Sequence, residues 1–290
     1  MLDNIGDLSK PVTMLIEKVS NAVGVLYEPT RLRRIARAEV DAEKIKTAGR
    51  LGLLSDLQQR GLDRFIYQEG RKQANIESIT AQAVELLPRD AEVEELEEDW
   101  VAHFFKQCDT VSDKEMQSLW AKLLSGEAAR PGTFSKRTVN LVSSLDKKGA
   151  SLFTALCNFN WTLGDKSDFG PLVYKIDDTV YRAYGINYAS LMELDSIGLI
   201  TLEPGGVHIC ELPRLVECSY FNKSVTVEFR EASNRNCIIA GCALLTTAGR
   251  ELAPISGSKP SEEFFEYIIN FWKNKGLKLI TSVNTIGRFS

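Results

Sequence analysis

Six cysteines and two histidines are the residues of this chain best suited to metal or nucleophilic chemistry. Cys210, Cys218, Cys237 and Cys242 fall close together, with His208 beside them as a fifth ligand of the right type. A structural zinc site holds its thiolates in pairs spaced by roughly two to four residues on turns. Here seven residues separate Cys210 from Cys218, and CIIAGC has the apolar run of a strand. The six cysteines, which include Cys108 and Cys157, therefore read as reduced thiols, mostly buried, with no metal and no cofactor. His103, inside WVAHFF, reads as a core or boundary residue, because no nucleophile motif accompanies it. The chain has no Gly-x-Ser-x-Gly elbow, Walker loop, dinucleotide fingerprint or His-Glu-x-x-His helix. With two histidines there is little for acid–base work at neutral pH, so no residue is assigned a catalytic role.

Anion binding is the second chemistry to weigh. Ser135, Lys136 and Arg137 open a predicted helix, where backbone N–H groups and the helix dipole favour negative charge. No Gly-rich loop accompanies them, and Ser135 reads as an ordinary cap. The segment TRLRRIARAEVDAEKIKTAGR carries seven Arg or Lys against three acids. Its Arg31, Arg33, Arg34 and Arg37 lie within two helical turns and are candidates for contact with phosphate or lipid headgroups. Without interleaved aromatics, such a stripe reads first as a solvated face with charges paired along the helix, supporting weak, salt-sensitive nucleic-acid binding at most. The run RDAEVEELEEDW places seven carboxylates between Asp90 and Asp99, in a predicted loop. Acid–base pairs need carboxylates in differently buried environments, and this run offers none.

The elements that carry these residues follow from hydrophobic periodicity. Ser9 and Pro11 start a helix whose stripe is Val12, Leu15, Ile16, Val19, Val23 and Leu26, ended by Pro29. A further helix contains DRFIYQEGRKQANIESITAQAVELL and stops before Pro88. After Trp100, Ser112 with Glu115 fits a capping box for a helix bearing Met116, Leu119, Trp120, Leu123 and Leu124. Pro131 and Gly132 break the chain before the next helix, with Trp120 and Phe134 packing on either side of the corner. Trp100, Trp120, Pro131, Gly132 and Phe134 are thus expected to be structural.

Beyond Phe159 the Gly/Asp/Pro-rich WTLGDKSDFGP marks a domain boundary. Short helices near Thr179–Tyr184 and Tyr188–Ile197 precede GLITLEPGGVHICEL, read as a hairpin turning at Pro-Gly-Gly. Strands follow in KSVTVEF, CIIAGCALL and LKLITSV, with helices in TTAGRELAPI and SEEFFEYIINFWKNKG. Helix, helix and hairpin outline a winged-helix-like element. From Gly185 to Leu212 it has no Lys or Arg, so it reads as a protein-contact module.

These readings give a mainly α N-terminal half followed by an α+β C-terminal domain. The expected divisions are residues 1–90 with the amphipathic and Arg-rich helices, 91–160 with the Trp120 core, and 161–290 with the winged-helix-like element. The 290 residues, 44% hydrophobic and 26% charged, suit a folded protein of two modest domains. A net charge of -4 gives no overall pull towards nucleic acid. MLDNIGDLSKP has no basic n-region or apolar stretch, and no run reaches the roughly 20 apolar residues of a membrane span. A cytoplasmic location is expected.

Three stretches carry a resemblance. DLSKPVTMLIEKVSNAVGVLYEPTRLRRIARAE, GRKQANIESI and EDWVAHFFKQCDTVSDKEMQSLWAKLLSGEAARPGTFSKRT resemble a bacterial domain-of-unknown-function family, number 2806, over Leu8 to Phe159. Gln117, Trp120, Leu123, Glu127, Pro131, Gly132 and Ser135 form its most specific pattern, and LTTAGRELAPI extends a looser likeness. The central helix pair is also similar to part of the abortive-infection alpha proteins. The resemblance implies a bacterial, cytoplasmic protein with no established activity, from which no catalytic residues carry over, and the likeness to abortive-infection alpha proteins suggests a phage-defence setting. The expected function is sensing or effector action through protein contact and oligomerisation, with a nucleic-acid regulator built on Arg31–Arg37 as the alternative.

Overall fold

The computed structural model describes residues 9–24, 55–164, 166–231, 233 and 235–281. Its contacts divide the chain into two compact units, Met1–Ser143 and Ser144–Ser290.

The first unit is helical. Helix α1 spans Lys10–Val23, with Pro11 in its first turn and Val12, Leu15, Ile16 and Val19 buried along one face. It ends at Gly24, in the left-handed conformation (φ 68°), which closes a helix at no Cβ cost. That is earlier than the expected stop at Pro29, which lies outside the described residues with Leu26. Helix α2 spans Asp56–Leu86 and starts in a reciprocal box, Ser55 Oγ accepting from Gln58 N–H and Gln58 Oε1 from Ser55 N–H. Only its second half is buried, through Asn75, Ile76, Ile79, Thr80 and Ala83.

The acidic run forms a short 3-10 turn, Val93–Glu95, whose Val93 and Leu96 are buried and pin it to the unit. Helices α3 (Glu98–Cys108), α4 (Lys114–Ala129) and α5 (Lys136–Ser143) complete the unit, α4 packing on α2 and α3 on both α1 and α5. The cap of α4 corrects the sequence reading. Asp113 Oδ1 accepts from the N–H groups of Glu115 and Met116, both at 3.0 Å, while Ser112 Oγ accepts from Asn75 Nδ2 at 3.3 Å. Asp caps as well as Ser, and Ser112 serves the neighbouring helix.

The second unit opens with α6 (Lys147–Cys157), which falls inside the 91–160 division expected from the sequence. The supposed boundary segment is a β-hairpin, β1 (Asn160–Leu163) and β2 (Lys166–Pro171), turning at Gly164. Then come α7 (Thr179–Arg182), α8 (Tyr188–Ile197), β3 (Ile200–Ile209), β4 (Leu215–Tyr220), β5 (Lys223–Glu228), β6 (Ile238–Leu245), α9 (Thr247–Leu252), α10 (Glu262–Asn274) and β7 (Lys278–Thr281). Strands β2-β1-β4-β5-β7 form one sheet and β3-β6 a second, all antiparallel among the described pairs.

Two expectations change here. ITLEPGGVHI is one strand, with its register shift between Leu202 and Val207, and it pairs with β6. Pro204 and the glycines make an irregularity inside the strand, not a hairpin turn. The second change concerns the cysteines. β3 and β6 pair Ile209 with Ile238, so Cys210 and Cys237 lie opposite one another, 4.1 Å apart at Cα, and are joined by a disulfide. The other four thiols are free and buried.

The core of the second unit is aromatic. Trp161 stacks on Tyr220 and Phe265 and meets Trp272 edge-on, and Phe159 packs against Phe264 and Tyr181. The tyrosine hydroxyls inside it are bonded: Tyr181 Oη donates to Leu172 O (2.8 Å), Tyr174 Oη to Ile239 O (3.0 Å) and Tyr220 Oη to Asn158 O (2.7 Å). Gly241 (φ 94°) lets the chain at Val173 lie directly on β6, where Cys242 N–H donates to Val173 O.

Candidate functional site

The Pro131–Gly132 corner is built from the most specific residues of the sequence pattern. Glu127 is buried on α4 and reaches across the turn, Oε1 accepting from Gly132 N–H and Oε2 from Phe134 N–H, each at 2.7 Å. Phe134 is buried against Gly126, where a Cβ would meet its ring at 2.7 Å. Trp100 Nε1 donates to Phe134 O at 2.7 Å, and Trp120, with no exposed surface, meets Phe104 edge-on at 5.2 Å. On the same helix, buried Gln117 donates from Nε2 to Val111 O and Asn75 Oδ1 and accepts from Ser78 Oγ. Charged and amide groups buried this way hold a corner rigidly.

Ser135, Lys136 and Arg137 are exposed at the start of α5, and Ser135 Oγ accepts from Thr138 N–H at 3.3 Å. That cap occupies a first-turn amide of α5, and the amides of Gly132 and Phe134 just before the helix are bonded to the Glu127 carboxylate. A cleft of about 400 Å³ beside the corner is lined by Asp90, Glu92, Arg130 and Thr133 among others, so charges of both signs share it. Arg31, Arg33, Arg34 and Arg37 lie outside the described residues. His103 Nε2 is 2.8 Å from Asn140 Oδ1 and links α3 to α5; His208 is exposed on β3. Among the described residues no three His, Cys, Asp or Glu side chains cluster as a metal site would require. Burial pushes the Cys157 and Cys218 thiols up to about 12 and raises Cys108 and Cys242 as well, so the thiolate form needed for attack or ligation is disfavoured.

The second unit contains a cleft of about 440 Å³ that the sequence reading did not find. Asn160 and Thr162 of β1, Ser219 of β4, Arg250 of α9 and the turn after α9 line it, with Phe221 at the corner between β4 and β5. The walls are fastened. Thr154 Oγ1 donates to Ser256 O (2.9 Å), Lys259 N–H to Asn158 Oδ1 (2.7 Å) and Ser261 N–H to Tyr220 Oη (2.8 Å). Thr246 Oγ1 caps α9 at Gly249 N–H and donates to Gly198 O, fixing the helix that carries Arg250. Arg250 Nη1 donates to Leu245 O at 3.1 Å. Phe221 has φ 52°, a left-handed backbone that bulky residues rarely adopt. Only LTTAGRELAPI carried a trace of this site in the sequence; strands distant in the chain supply the rest.

A helical unit followed by an α+β unit with antiparallel sheets and an aromatic core defines the class of fold. The chain belongs to the family described as protein of unknown function DUF2806, whose model matches residues 59–269. That span reaches from α2 through most of α10 and includes both the corner and the cleft. Comparison with curated proteins found no match, and comparison with solved structures found none. No described helix is long and apolar enough to cross a membrane.

Proposed function

We propose that the chain is a non-catalytic interaction protein that self-associates through the first half of α2. The observation that carries this is the length of α2 beyond its own core: no residue from 56 to 74 is buried. Phe65 stands eleven residues before Ile76, about three turns, and so on the face that Ile76, Ile79 and Ala83 bury further along. Yet Phe65 is 60% exposed, as Ile66 is at 41% and Tyr67 at 69%. An apolar stripe that continues past its core calls for a partner. Residues 56–72 carry three acids and four bases, so a second copy meets only the weak repulsion of one excess positive charge on each side there. The phage-defence setting rests on the resemblance of the helices around the corner to abortive-infection alpha proteins, and the effector role on the lack of catalytic motifs.

Light scattering after size exclusion tests this. The wild type should elute as a dimer or larger at about 10 μM, and Phe65→Glu with Leu62→Glu should give monomer with an unchanged melting temperature. A wild-type monomer, or an assembly indifferent to both substitutions, would show that α2 is not the contact.

A further inference from the structure

We infer that the Cys210–Cys237 disulfide is a redox site, opened and closed by exchange with small thiols, and that Cys210 is the sulfur they attack. Access sets the direction. Cys210 is exposed just past β3 and Cys237 is half-buried just before β6, whereas the free thiols Cys108, Cys157, Cys218 and Cys242 are all buried. A thiolate must reach one sulfur of a disulfide to displace the other, so an exposed pair exchanges and an enclosed one does not. The four buried thiols are held protonated by their surroundings and do not compete.

The surroundings suit reclosure as well as opening. Ile209 pairs with Ile238, Leu212 N–H donates to Asn236 O at 3.1 Å, and Asn236 Nδ2 donates to Leu212 O (3.1 Å) and Glu231 O (3.0 Å). None of these bonds runs through sulfur, so they keep the two cysteines facing one another after reduction. Reclosure is then an intramolecular step at high effective concentration. Cys237 Sγ lies 3.2 Å from Arg235 O, an acceptor for the thiol that reduction creates. Glu211, next to Cys210, has φ 61°, a left-handed backbone that a non-glycine residue holds only under constraint. Opening the disulfide removes one of its ties.

The chain between the two cysteines carries β4 and β5 of the five-stranded sheet, whereas β3 and β6 form the other sheet. The disulfide therefore staples the point where the chain leaves one sheet to the point where it returns. Reduction loosens those two crossings and leaves both sheets paired. The reaction balances with a low-molecular-weight thiol as reductant. Its thiolate attacks Cys210 Sγ and forms a mixed disulfide, while Cys237 leaves as thiolate and takes up a proton. A second small thiolate attacks the small-thiol sulfur of that mixed disulfide, and Cys210 leaves and is protonated. The two small thiols depart joined as a disulfide, having given up two electrons. The reverse sequence, from the small disulfide, closes the pair. This inference is independent of self-association through α2.

Reduced and oxidised glutathione test this on the full chain without unfolding it. Protein first treated with excess oxidised glutathione should hold the closed pair. Moved into millimolar reduced glutathione, it should expose Cys210 and Cys237 to thiol labelling with peptide mapping. The four buried cysteines should stay unlabelled and the circular dichroism unchanged, and a return to oxidised glutathione should close the pair again. Two variants locate the attack. Cys237→Ser, offered oxidised glutathione, should carry one mixed disulfide at Cys210. Cys210→Ser should acquire one at Cys237 at least about tenfold more slowly, because that sulfur is less accessible. Both variants are to be compared at wild-type dichroism, and the wild-type labelling stands without them. The inference fails if the pair never closes, or stays closed in reduced glutathione until denaturant is added. It also fails if the buried cysteines label alongside the pair, or if folded Cys210→Ser takes up glutathione as fast as folded Cys237→Ser.

Discussion

Trp120 shows what one residue can and cannot disclose. Its position at helical spacing between Met116 and Leu123 marked it as a packing residue, and it is completely buried against Phe104. Its indole Nε1 has no partner, however, which no pattern of spacing reveals. The two facts predict opposite-sized effects. Trp120→Ala removes the ring and leaves a cavity, so it should cost about 3–5 kcal/mol in denaturant unfolding. Trp120→Phe keeps most of the apolar volume and removes the unsatisfied N–H, so it should cost much less, below about 2 kcal/mol. Equal losses for the two would mean that the indole N–H is bonded. Glu127 teaches the complementary lesson: the motif named it, but only the folded corner shows its carboxylate holding two amides.

At the scale of elements, the β3–β6 pair decided the cysteine chemistry. Cys210 and Cys237 lie 27 positions apart in the sequence, and only antiparallel register sets them side by side. Closing a loop of that length should stabilise the second unit by about 3–4 kcal/mol in the chain-entropy picture. Thiol labelling in denaturant, on protein purified without reductant, should count four reactive cysteines, and six after reduction, with the melting temperature falling on reduction. Six thiols labelled at once would show the pair unbonded, as a reducing compartment would leave it. The same pair of strands absorbed Pro204–Gly206 as an irregularity, because β6 pairs with Ile200–Leu202 before it and with Val207–Ile209 after it, so the chain runs on instead of turning back.

The distribution of tyrosines distinguishes the two units at the scale of the whole molecule. Tyr174, Tyr181, Tyr220 and Tyr267 all belong to the second, and burial is the first cause that raises each of them. Tyr220 is pushed up to about 12 and the other three further. Below the ordinary value near 10 both folded and unfolded chains keep these phenols protonated, and their stabilisation is intact. As pH rises through the raised folded values, the unfolded chain ionises first and that stability is lost. Absorbance at 295 nm should therefore show the phenols of Tyr174, Tyr181, Tyr220 and Tyr267 ionising only together with unfolding of the second unit. The first unit, whose described residues include no buried tyrosine, should keep its helical signal to higher pH. A single unshifted tyrosine transition would contradict the aromatic core described above.

What the sequence determined by itself was local and periodic. The stripe of α1, the Trp120 helix, the corner at Pro131–Gly132, and α8, α9, α10 and β7 were legible because a buried face leaves apolar residues at the period of the backbone. The tertiary structure decided everything that depends on which segments meet. WTLGDKSDFGP became a hairpin because β4 pairs with β1, Ser112 yielded the cap to Asp113 because Asn75 claims its hydroxyl, and Cys210 met Cys237 through register. The cleft follows the same logic. Asn160, Ser219, Phe221 and Arg250 come from segments up to ninety residues apart, and no spacing rule links them. Side chains recognise a ligand by position in space, while periodicity records only which side of an element faces the core.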